Sequence, residues 1–141
     1  MTAKNSAGTP NGPAPALPKP GQQRAWWRTP ASPSALAFHI AAAAAAHDGP
    51  LLAIARDNHA AHQLESDLHT LLGRDRHADV PVLTFPDWET LPYDVFSPHP
   101  DIVSQRLSAL HALPTLKRGI VVVPVQTLLQ RLAPLPRSSA T

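Results

Sequence analysis

The densest collection of side chains that could do chemistry lies in one stretch, Phe85-Pro86-Asp87-Trp88-Glu89-Thr90-Leu91-Pro92-Tyr93-Asp94-Val95-Phe96-Ser97-Pro98-His99-Pro100-Asp101-Ile102. Asp87, Glu89, Asp94 and His99 are types that serve as acid-base pairs or metal ligands, and Trp88 and Tyr93 are types that grip a base or a sugar. The same stretch carries four prolines and four aromatic residues, which also describes a stiff loop packed on its own domain. Asp101 then caps a following helix. No nucleophile or phosphate cradle accompanies the acids, so packing is the preferred reading, and a small hydrolase built on the 87–101 loop is the alternative.

A second constellation is His62, Glu65 and His69, which share one face of a helix by their spacing. Two imidazoles and a carboxylate can hold zinc, but a working site needs tighter convergence and supporting hydrogen bonds. A solvated polar face opposite a leucine stripe explains the same pattern, and no metal site is assigned. The chain has no cysteine, which excludes disulfides, cysteine-ligated zinc, iron-sulfur clusters and thiol catalysis. None of its six glycines belongs to GxxxxGK[ST] or GxGxxG, so a phosphate loop is missing as well. No catalytic or cofactor-binding residue is assigned, and nucleotide hydrolysis by this chain alone is not expected.

The elements that would position these residues follow from periodicity. Ser34 is a candidate cap for a helix running through the alanines 41 to 46, ended by His47-Asp48-Gly49-Pro50. Leu51 to Ala55 is a short apolar run, predicting a strand buried on both faces. Asp57 caps a helix whose apolar positions are Ala60, Ala61, Leu64, Leu68, Leu71 and Leu72, up to Gly73. Val80 to Phe85 and Ile120 to Val123 predict two further strands. Between them a helix is expected from about Asp101 to Leu113, with Val103, Leu107, Leu110 and Leu113 on one face. A last helix is expected from Pro124 to Leu132. Strands alternating with helices imply an α/β sandwich of about three parallel strands.

Charge divides the 141 residues unevenly. The first 33 hold Lys4, Lys19, Arg24 and Arg28 and no acid, leaving eight basic against ten acidic residues in the remainder. The foldable part therefore has no basic footprint for nucleic acid. Residues 1–33 also carry seven of the 17 prolines, and a disordered tail without a secretory signal is expected. Trp26 and Trp27 in that tail are read as pinning its end onto the domain, with a DNA-binding tail as the alternative. No segment is apolar for long enough to span a bilayer, and the cytoplasm is the expected compartment.

The run DWETLPYDVFSPHPDIVSQRLSAL, with LPTLKRGIVVVPVQTLLQRLAP after it, resembles the N-terminal region of the bacterial transcription-repair coupling factors, the Mfd family. The resemblance begins near Ser34, strengthens from Leu51 to Asp57 and is densest from Asp87 to Pro134. It implies a degenerate RecA-like lobe, similar to one in the B component of the repair excinuclease, over residues 34–136, with 137–141 as a disordered end. It further implies that Asp87, Trp88, Glu89, Leu91, Pro92, Tyr93, Asp94, Ser97, Pro98, His99 and Asp101 form a family loop with a structural or interdomain role. Whole members of the family are ATP- and magnesium-dependent translocases on double-stranded DNA that displace stalled RNA polymerase. They recruit nucleotide-excision repair through the A component of the excinuclease. Their motor and partner-binding modules lie C-terminal to the segment matched here. The expectation is a noncatalytic, fragmentary lobe whose partners are those missing modules.

Overall fold

A computed structural model describes residues 17–19, 21–27, 30–73, 79–89, 98–130 and 132. Much of the tail expected to be disordered lies outside the described residues, as do Leu91, Pro92, Tyr93, Asp94 and Ser97 of the family loop. Three parallel strands, β1 (Pro50–Ala55), β2 (Val82–Thr84) and β3 (Gly119–Pro124), form a sheet in the order β1-β3-β2. The helices are α1 (Pro33–Ala46), α2 (Asn58–Leu72), α3 (Pro100–Ala112) and the single turn α4 (Val125–Leu128). Among the described residues no helix is long and apolar enough to cross a membrane.

The central strand organises the rest. β3 is buried along its whole length, and its side chains alternate between two cores. Ile120 and Val122 pack with Ala53, Ala55, Val82 and the inner faces of α1 and α2. Val121 and Val123 face the other way, onto Leu83, Phe85 and Ala109 of α3. Gly119 starts this strand at φ 147, and a Cβ there would stand 2.7 Å from the Pro81 carbonyl oxygen. That carbonyl accepts from the Ile120 amide at 2.8 Å, so glycine is what lets β2 and β3 approach in register.

Five expectations need correction. Ser32, not Ser34, caps α1: its hydroxyl accepts from the Ala35 amide and Pro33 takes the first helical position, whose missing N–H costs nothing there. Ser34 instead donates to Asp67 at 3.1 Å, tying α1 to α2. β1 is an edge strand buried on one face only, because α3 covers the β2 side of the second face; Leu52 and Ile54 are 53% and 55% exposed. α3 buries Arg106 and Ala109 while Leu107 lies 62% exposed, so the expected leucine stripe is not its buried face. Finally, His99 rather than Asp101 caps α3, and the last helix is only Val125–Leu128.

α1 ends against a cation from elsewhere in the chain. The last turn of a helix leaves carbonyls without partners, and the Arg118 guanidinium donates to those of Ala44 (3.3 Å) and Ala45. The same charge opposes the negative end of the helix dipole.

Candidate functional site

The family loop leaves the C-terminal end of β2, where open α/β sheets place their sites. Phe85 continues the sheet by one bond, its amide donating to the Val122 carbonyl at 2.9 Å, and Phe85 and Pro86 are buried. From there the chain wraps a single cation. Arg106 projects from α3, is 2% exposed, and donates from Nη1 to the Pro86 carbonyl at 2.5 Å. Its guanidinium carbon lies 4.3 Å from the centre of the Phe85 ring and 4.1 Å from that of Trp88. Both ring faces therefore meet a flat, weakly hydrated ion, the geometry in which a cation–π contact is strongest when water is excluded.

Charge balance comes from the next residue. Burial lowers the Arg106 pKa, and the Asp87 carboxylate acts in the opposite direction. Asp87 in turn accepts a hydrogen bond from the Gln130 amide, just beyond α4. Residues 85 to 88 are thus gripped by α3 on one side and by the chain after β3 on the other. Glu89 follows, exposed and with φ 57, a left-handed conformation that lets the backbone turn away.

At the far end of the loop Pro98 is half-buried and His99 begins α3. The His99 ring accepts from the Asp101 amide at 3.3 Å, and its Nδ1 lies 3.4 Å from the Asp101 carboxylate. The described part of the loop thus brings His99 to Asp101, Asp87 to Gln130 and Trp88 to Arg106. Each polar group named there already serves a structural contact. Arg106 was missed by sequence reasoning, although a signal existed: it falls at i+4 from Ile102 and i−3 and i−4 from Ala109 and Leu110, on an apolar stripe where a cation needs a partner.

The other two candidate places also resolve into local contacts. Glu65 lies between His62 (3.6 Å) and His69 (3.8 Å), and the second nitrogen of His69 faces the Gly73 carbonyl at 3.2 Å. Among the described residues no group of three or more histidine or carboxylate side chains converges to hold a metal. At the C-terminal end of β1, the start of α2 points its free amides where a phosphate would sit in a nucleotide-binding fold. Here the Asp57 carboxylate fills that position, accepting from the Ala60 amide at 2.7 Å, with Arg56 3.0 Å away. The Ala60 amide, and then Arg56, hold the Asp57 pKa below the usual aspartate value. Beside it runs a groove of about 670 Å³, floored by Leu36, Ile40, Ala53, Ile54 and Leu64.

No protein-family model matches the chain. It is 46% identical over 101 residues to the transcription-repair-coupling factor of Escherichia coli, a match covering 72% of this chain and 8% of that protein. The factor of Haemophilus influenzae is 42% identical over 102 residues, and that of Mycobacterium bovis 36% over 104, again about 8% of each. A match over 72% of the chain necessarily includes its middle third, where β1, α2, β2 and the Arg106-bound root of the loop lie. The chain belongs to the transcription-repair-coupling factors. It spans only about 8% of the length of these coupling factors.

Proposed function

We propose that this chain is a noncatalytic N-terminal lobe of a cytoplasmic transcription-repair coupling factor, of RecA-like descent. Its work is to seat neighbouring modules of the same factor. The observation that carries the reading is the 46% identity to the Escherichia coli factor over 101 residues. Two local features support it. The start of α2 is closed to a phosphate by Asp57, and the root of the family loop is held by Arg106 and Gln130 in contacts that are structural in kind. ATP, magnesium and double-stranded DNA belong, in this reading, to a motor elsewhere in the factor. RNA polymerase and the A component of the excinuclease are likewise partners of the whole factor, met through other modules. The lobe contributes residues 34–136, preceded by the tail 1–33.

Titration of the chain with magnesium-ATP tests the noncatalytic reading. No saturable binding and no phosphate release are expected. Turnover that disappears in Glu89→Gln or Asp94→Asn would replace this reading with that of a hydrolase.

A further inference from the structure

The paired tryptophans of the tail have no role in that reading, and the structure changes how they are understood. An anchor would be buried against the lobe. Trp26 is instead 85% exposed, with the Arg24 guanidinium 5.6 Å from its ring centre. Just before them Lys19 sits in a turn closed on itself, the Gln22 amide donating to the Lys19 carbonyl at 2.8 Å and the Gln22 side chain accepting from the Lys19 amide at 3.2 Å. The turn holds the segment's own backbone and leaves the indole face of Trp26 in water.

Electrostatics separates this segment from the lobe. Residues 1–33 carry four cations and no acid, whereas the remainder has a net negative charge. Three of the lobe's arginines are also engaged internally: Arg56 with Asp57, Arg106 with Pro86, and Arg118 with the end of α1. A polyanion is therefore drawn to the tail and not to the lobe. Cations select for phosphates, and an exposed indole beside a guanidinium selects for a flat π face. A nucleic acid offers both only where its bases are unstacked. An acidic protein surface would satisfy the charges without using the indole.

We infer that Lys19, Arg24 and Trp26 form a binding site for single-stranded nucleic acid, with a base stacked on Trp26 and backbone phosphates on the flanking cations. The test uses the full chain with a fluorescent oligothymidylate, read by anisotropy and by quenching of tryptophan emission. Saturable binding is expected, with log K falling against log salt at a slope of roughly −1.4, because Lys19 and Arg24 neutralise two phosphates and each such phosphate of a single strand contributes about −0.7. Trp26→Ala should weaken binding roughly tenfold, the scale of one lost base stack. A duplex of equal length should bind more weakly than the single strand. Oligouridylate should bind about as well as oligothymidylate, since neither stacking nor phosphate pairing reads the sugar. Unchanged affinity in Trp26→Ala, equal binding of the duplex, or equal competition by polyglutamate would each overturn the inference, as would failure of both oligonucleotides to bind.

Discussion

On one face of the sheet Ile120 and Val122 meet small and branched apolar residues of α1 and α2, with Ala37, Ala41, Ala44, Ala61, Leu64 and Leu68 closing the layer. On the other, Val121 and Val123 meet Leu83, Phe85 and Ala109, with Leu110, Ala112 and Leu116 packed alongside, and the layer is completed by a guanidinium between two aromatic rings. The first face is held by close packing, which tolerates no lost volume. The second is held by a buried cation whose partners are supplied by a loop, and it stops short of β1, where Leu52 and Ile54 stay uncovered. One face stabilises the lobe; the other fixes the root of the loop, Phe85 to Trp88, and leaves an apolar margin.

The contrast can be broken at several points. Leu68 is wholly buried, so Leu68→Ala should cost about 2–5 kcal/mol and lower the thermal midpoint more than any change on the second face. Arg106→Ala should cost less, about 2–3 kcal/mol, as the stack and the bond to Pro86 are lost together, and Trp88 emission should shift toward that of a wet indole. Arg106→Met sharpens the point. If it restores both stability and the Trp88 spectrum, the second face is ordinary packing and the cation is dispensable; stability is expected to recover in part and the spectrum not to recover.

A smaller effect belongs to Asp57. Its pKa is lowered in the folded protein, so its contribution to stability is complete at neutral pH and is lost as pH falls below the usual aspartate value through the folded one. Melting midpoints of the parent should therefore fall more steeply in strong acid than those of Asp57→Asn, which keeps a capping oxygen but cannot titrate. Smallest of all, Leu52→Ser with Ile54→Ser should change stability by no more than about 0.5 kcal/mol, because both side chains already face water. Sedimentation at rising concentration should show less self-association in that double variant than in the parent.

The first face is legible in the sequence, since alanine-rich and leucine-periodic helices around a Val-Val-Val strand state their partners by spacing. Asp57 reads as a cap for the same reason. The second face is not legible, because its organising residue is charged and its partners Phe85, Pro86 and Trp88 lie about twenty residues away. Periodicity carries no information about such pairing, and Leu107 takes Arg106's place in the expected buried stripe. The burial of β1 escapes on similar grounds. An apolar run announces a strand but not its position at the edge, and only the order β1-β3-β2 shows which of its faces lacks a cover.

Exchange of this lobe into a whole coupling factor asks whether the second face serves the neighbouring modules. The homologous segment of the Escherichia coli factor would be replaced by this chain's lobe, and ATP-dependent displacement of stalled RNA polymerase measured on the purified hybrid. Displacement is expected at a rate close to the parent's, with the Arg106→Ala hybrid impaired while its ATPase persists. A folded hybrid that hydrolyses ATP yet cannot displace polymerase with Arg106 intact would contradict the scaffold role.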